Sequence, residues 1–194
     1  HRDTTFRQNR CAMAADLTTR LSNFLTVLGT GASAPSVTGV VNTSVTAVGN
    51  VTTGEDDLIT YSLPASSLAS NGQALRVRAW GTLAGNANDK RLRFYFGATA
   101  ALNEPLIVAT ATNLVASQWL IEALIIRTGS NTQTVIAKLM QMSGGTAGIR
   151  GETMTYDIVA ATETDTAAIT VKCTGTAVDT NDIVQSGLIV EGLI

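Results

Sequence analysis

Residues 74–96, ALRVRAWGTLAGNANDKRLRFYF, decide the fold. Leu75, Val77 and Ala79 alternate with Arg76, Arg78 and Trp80, and Leu92, Phe94 and Phe96 alternate with Arg91, Arg93 and Tyr95. Successive side chains of a strand point to opposite faces, so a period of two marks two half-buried antiparallel strands, each apolar on one face and basic and aromatic on the other. The run GTLAGNANDK between them has the Gly, Asn and Asp chemistry of a turn, which predicts a hairpin with the two basic faces side by side on one sheet. Arg76, Arg78, Trp80, Arg91, Arg93 and Tyr95 then form one patch. It reads as a candidate subunit interface, where arginine and aromatic side chains are enriched. The alternatives are a plain solvated face and a stacking surface for sugar or nucleic acid.

Working outward, the same alternation with turn residues between predicts strands near 40–48, 57–63, 105–111, 118–128, 132–142, 149–160, 167–174 and 182–192. WLIEALIIRT is apolar on both faces, as expected of a central strand covered on each side. After Gly39 the sequence predicts no helix of ten residues or more. Short strands in this number argue for an all-β, antiparallel two-sheet sandwich, and the length of the body fits a jelly-roll-like arrangement better than an immunoglobulin one.

Upstream of Gly39 the pattern is different. From Met13, the apolar residues Ala14, Leu17, Leu21, Phe24 and Leu28 recur at spacings of three and four, and Gly29 follows as a stop, which predicts one short amphipathic helix. Arg2, Arg7, Arg10 and Arg20 make this segment locally cationic, and GTGASAPSVTG reads as an extended linker. The chain therefore divides into an N-terminal arm, residues 1–38, and a β-sandwich body, residues 39–194.

Composition limits the chemistry. Of the 194 residues 45 % are hydrophobic and 14 % charged, against about 25 % charged in an ordinary soluble domain. Thirteen basic and fifteen acidic residues give a net charge of −2, so there is no broad positive field to draw nucleic acid or an anionic membrane. The single histidine, His1, stands at the start of the chain and leaves no imidazole in the body for a Ser-His or Cys-His pair. Neither a membrane-length apolar run nor a secretory leader is evident, which predicts a soluble chain. Cys11 and Cys173 lack metal-knuckle spacing and are expected to be free thiols.

Other constellations read as structural. Glu55, Asp56 and Asp57 are expected in a solvated turn, without the alternating oxygen ligands of a calcium loop. Glu122, Glu152, Asp157 and Glu191 are scattered over different strands, which does not suit paired-carboxylate catalysis. Glu122, flanked by apolar residues, is expected to pair with Arg127 or another arginine. Met140, Met142 and the following SGG read as a hairpin end, and GTGASA and SGGTAG lack the lysine of a phosphate loop. No enzyme activity, cofactor or metal is expected.

The runs TTGEDDLITYSLPASSLASNGQALRVRAWGTLAGNANDKRLRFYFG (52–97) and SQWLIEALIIRTGSNTQTVIAKL (117–139) resemble stretches of small β-rich virion structural proteins of tailed bacteriophages. The resemblance covers roughly residues 40–194 and has no catalytic motif. It implies a jelly-roll-like, commonly trimeric body that serves as a capsid cement or decoration protein or as the head of a fibre. Arm and linker are too short for the attachment domain and stalk of a fibre, so the expectation is a virion-located cement protein. Its arm would bind the major capsid protein or another virion component through Arg2, Arg7, Arg10, Leu17, Leu21, Phe24 and Leu28. Its body would form a homotrimer, for which the apolar runs 118–128 and 182–194 argue. The alternatives are a short fibre head or receptor-binding module, with a host surface glycan as partner, and a non-viral carbohydrate-binding β-sandwich.

Overall fold

In the computed structural model the described residues are 39–51, 53–86, 88–106, 115–144 and 151–193, all within the unit Ser36–Ile194. The expectations for the arm, its helix and Cys11 lie outside them. The alternating segments become strands, and no helix occurs among the described residues. In chain order the strands are β1 (Gly39–Ser44), β2 (Val48–Gly49), β3 (Glu55–Leu63), β4 (Ala74–Leu83), β5 (Lys90–Phe96), β6 (Thr99–Pro105), β7 (Val115–Gly129), β8 (Thr132–Gly144), β9 (Gly151–Ala161), β10 (Ile169–Ala177) and β11 (Ile183–Gly192). The expected first strand is thus two short ones. Strand β6, which the sequence did not predict, begins at Thr99 directly after a tight turn in which Gly97 takes a positive φ of 60°, and residues 107–111 of the strand expected at 105–111 lie outside the described residues.

The strands form two antiparallel sheets. The larger has seven strands, in the order β1-β11-β4-β7-β8-β9 with β2 also on β11, and the smaller has four, β3-β10-β5-β6. Their facing sides share one core. Leu75, Val77 and Ile121 of the larger sheet pack with Leu92, Phe94 and Val171 of the smaller, all fully buried. Each such side chain stabilises the fold by about 1.5–3 kcal/mol before ordering costs. Gln185, also fully buried, ties the sheets together: its Oε1 accepts from Ile59 N at 3.0 Å and its Nε2 donates to Gly187 O at 3.1 Å.

The pairing has a simple order. If β1 and β2 count as one strand and the hairpin β8–β9 is set aside, the remaining pairs are nested. Strand β11 pairs with β1 and β2, β10 with β3, β7 with β4, and β6 with β5. Rolling this nest on itself adds the pairs β11–β4 and β10–β5 and yields the two sheets.

The hairpin expected between β4 and β5 is not formed. Strand β4 takes both its neighbours, β11 and β7, from the larger sheet, while β5 lies in the smaller one. The connecting loop is held instead to the β10–β11 turn. Asp182 accepts from Asn86 Nδ2 at 2.5 Å and from Asn88 Nδ2 at 2.8 Å, and Lys90 Nζ donates to Asn86 Oδ1 at 2.5 Å. This polar knot turns the chain from one sheet to the other. The apolar sides of β4 and β5 meet across the core instead of lying next to each other.

Candidate functional surface

The crossover splits the candidate interface patch. Arg91, Arg93 and Tyr95 lie on the outside of the smaller sheet, among charged partners. Arg93 Nη1 stands 3.2 Å from Glu55 Oε2, Lys172 Nζ stands 2.6 Å from Asp57 Oδ1 and 5.4 Å from the centre of the Tyr95 ring, and Arg91 donates to Asn103 at 2.9 Å. The acidic run is therefore no solvated turn. Glu55 and Asp57 open β3 and pair across the sheet because β10 and β5 present cations there. Burial would raise the Glu55 carboxyl, but hydrogen bonds from Thr174 and Tyr95 and the charges of Arg93 and Lys172 outweigh it and hold the group below the usual range. The Tyr95 hydroxyl is pushed up, by burial first and then by Glu55. This face is polar and satisfied within the chain.

Arg76, Arg78 and Trp80 lie on the outside of the larger sheet, in different company. The register aligns Arg76, Leu124, Ile136 and Ile158 in one row across β4, β7, β8 and β9. It aligns Arg78, Glu122, Lys138 and Tyr156 in a second row, and Trp80, Leu120, Met140 and Met154 in a third. Most of these side chains are apolar. Met154, Tyr156 and Ile158 are exposed at 64 %, 66 % and 64 %. Natural strands normally turn their bulky apolar side inward, yet here the half-buried positions are Thr155, Asp157 and Val159.

The ions on this face pair with each other. Glu122 is 2.8 Å from Lys138 Nζ and 3.3 Å from Arg78 Nε, so its arginine partner is Arg78 and not Arg127, and the pair is half-exposed instead of buried. The hydrogen bond from Lys138, followed by the charges of Lys138 and Arg78, outweighs burial and holds the Glu122 carboxyl below its usual range. Arg76 Nη1 lies 3.6 Å from Glu191 Oε2. Arg127 sits at the rim, where Asp165 holds it at 2.8 Å, because the β7–β8 turn brings it beside the loop after β9.

One end of the face is a groove of about 720 Å³, lined among others by Trp80, Leu120, Met140, Met142, Met154 and Ser186. Each tryptophan of this region lies across a glycine of the neighbouring strand. A Cβ on Gly187 would meet the Trp80 ring, and one on Gly81 would meet the Trp119 ring and the carbonyl oxygen of Val184. The Trp119 ring is on the core side at 2 % exposure, and its Nε1 has no hydrogen-bond partner. Met140 and Met142, read from the sequence as a hairpin end, belong to the groove wall. The row Met154, Tyr156 and Ile158 was not singled out from the sequence. Its alternation was visible, but alternation alone does not say which side faces out.

The arm residues Arg2, Arg7, Arg10, Leu17, Leu21, Phe24 and Leu28 lie outside the described residues. Cys173 is fully buried in β10 and free, and burial pushes its thiol far above the usual range. In a Cys11→Ser chain Cys173 should stay unlabelled by a thiol reagent in native buffer and react only with unfolding. Labelling of the native variant within minutes would contradict this burial.

No protein-family model matches the chain, and no curated protein matches it. Two solved viral structures show a weak likeness. One is the CBM2 module of the evolved Dit of Lactobacillus casei BL23 phage J-1, at 10 % identity and a TM-score of 0.27, covering 70 % of this chain and 69 % of that one. The other is the VP2 subviral particle of infectious bursal disease virus, at 12 % identity and a TM-score of 0.26, covering 80 % of this chain and 42 % of that one.

Proposed function

We propose that the body is a jelly roll and that the protein is a non-enzymatic virion structural subunit, a homotrimeric capsid cement or decoration protein held to the shell by its arm. The nested strand pairing supports the jelly-roll reading, since eight antiparallel strands wound as one long double hairpin give this order. The observation that carries the structural role is the contrast between the two outer faces. Ions on the smaller sheet are paired within the chain, whereas the larger sheet presents a broad apolar surface of the kind that assembling subunits bury.

The test is binding to purified particles, read by occupancy in electron microscopy. Leu21→Asp in the full chain should abolish binding, because a buried leucine contributes about 1.5–3 kcal/mol and the aspartate adds a desolvation cost. Arg7→Ala should weaken binding only a few-fold and mostly at low salt, since an exposed ion pair contributes about 0.2–1 kcal/mol. Wild-type occupancy of the Leu21→Asp chain would overturn the cement reading of the arm. Binding of that same chain to host cells would move the assignment to the receptor-binding alternative.

A further inference from the structure

We propose that the outer face of β4, β7, β8 and β9 is where one copy of this chain binds the next, the ridge Met154, Tyr156 and Ile158 of one protomer seating in the groove beside Trp80 and Met140 of its partner. The inference rests on the homotrimer reading above and deepens it by naming the surface.

The first observation is the overhang. The larger sheet is wider than the smaller one and ends in the hairpin β8–β9, which the nested pairing of the other strands does not require. Strand β9 forms the sheet edge, and of the side chains it turns inward Thr155, Asp157 and Val159 are only half-buried. An edge of eleven residues that carries three exposed large apolar side chains is a surface that natural proteins cover or blunt.

The second observation is area. Four strands, β4 to β9, about 4.8 Å apart, and the stretch of β7 from Gln118 to Ile126 at about 3.4 Å per residue give a face of roughly 19 by 27 Å, about 500 Å² in projection. The largest apolar patch on an ordinary monomer is about 300–600 Å², and a standard interface buries about 800 Å² of accessible surface per partner, a figure that side-chain relief brings within reach. The amphipathic helix expected in the arm is about 24 Å long and 10 Å wide and would cover less than half of the face. A second copy matches it in size.

The third observation is charge. Glu122 lies between Arg78 and Lys138, and Glu191 lies beside Arg76, so each carboxylate buried by the contact brings its own cation. Such pre-paired ions lower the desolvation cost of closing the interface. The ridge and the groove are different patches, so the contact is heterologous: about a three-fold axis the ridge of each copy enters the groove of the next, and the ring closes at three.

The experiment is sedimentation of the full chain at about 10 µM, compared with the variant Met154→Glu/Ile158→Glu and with Arg91→Glu on the smaller sheet. Wild type and Arg91→Glu should sediment as oligomers of the 20.2 kDa chain. The double variant should be monomeric, with self-association weakened on the order of a hundredfold. Both substituted side chains are solvent-exposed in a single copy, so far-UV circular dichroism should not change. Hydrogen exchange of the unmodified chain gives a second readout: the amides of β9 should gain protection as the concentration rises. A monomeric wild type overturns both the surface and the trimer. An oligomer that survives the double substitution, with no concentration-dependent protection of β9, overturns the surface alone and leaves the trimer standing. Loss of particle binding by an intact oligomer counts against the virion reading and not against this one.

Discussion

Replacing Asp165 with alanine should destabilise the body by about 3–5 kcal/mol, the range for removing one partner of a buried ion pair. Asp165 is buried, and its carboxylate ties the loop after β9 to the β7–β8 turn through three bonds. It accepts from Arg127 Nε at 2.8 Å, from Asn131 N at 2.8 Å and from Gln133 Nε2 at 2.6 Å. Asn131 has a positive φ of 52° in the β7–β8 turn, and Arg127 also bonds Asn71 in the loop before β4. Alanine would leave Arg127 Nε, Asn131 N and one N–H of the fully buried Gln133 amide without this acceptor, although Gln133 Nε2 keeps Glu163 O and Arg127 keeps Asn71. Against a total stability of about 5–15 kcal/mol such a loss is a large fraction, and the melting temperature should fall on the order of 10 °C. A fall of less than about 3 °C would show that water replaces the carboxylate at little cost.

The pH dependence follows from the same group. Burial alone would raise the Asp165 carboxyl, but the hydrogen bonds from Asn131, Arg127 and Gln133 and the Arg127 charge hold it below the usual range. At Asp182 burial likewise pushes the carboxyl up, and the bonds from Asn86, Asn88 and the Asp179 backbone together with the Lys90 charge outweigh it and hold the group below the usual range. For a carboxyl depressed in the folded state, the stabilisation is complete above its unfolded value of about 3.9 and is lost as pH falls through the folded value. The wild-type body should therefore lose stability steeply below about pH 4, and Asp165→Ala should flatten that slope.

Trp119→Ala should cost a similar amount, about 3–5 kcal/mol, as large-to-small changes of buried tryptophan do. Trp119 is the largest of the fully buried side chains, and its ring fills the space that Gly81 leaves on the neighbouring strand. Gly81→Ala attacks the same contact from the other side and should cost about 1–3 kcal/mol, since its Cβ would press on the ring and on the Val184 carbonyl oxygen. The two changes should not add, because Trp119→Ala removes the ring on which the new methyl group would press and leaves only the Val184 carbonyl contact. Trp119→Phe should cost less than alanine, measured by urea denaturation, because the benzene ring refills most of the cavity. The indole N–H that both changes remove is a buried donor with no partner in the folded chain, so its loss adds no cost to either. Equal losses for phenylalanine and alanine would show that the smaller ring does not refill the space.

The sequence by itself determined the strands and which residues of most of them form the core. Period-two alternation is a local property of the chain, so Leu75, Val77 and Ala79 on β4 and Leu92, Phe94 and Phe96 on β5 were assigned inward without reference to any partner, and they are buried. Which strand lies beside which was decided by the tertiary structure. A β4–β5 hairpin would put these two apolar faces next to each other over one core, and the crossover puts them opposite each other across it. Both arrangements bury the same side chains, so hydrophobic patterning does not distinguish them. The choice lay with polar groups far apart in sequence, Asn86, Asn88 and Lys90 meeting Asp182, and with the competing partners β7 and β11. The apolar outer face has a similar origin. In β7 both faces are apolar, and in β9 the register with β8 sets Met154, Tyr156 and Ile158 outward. A single chain's alternation gives two sides, and only the placement of the second sheet decides which of them is inside.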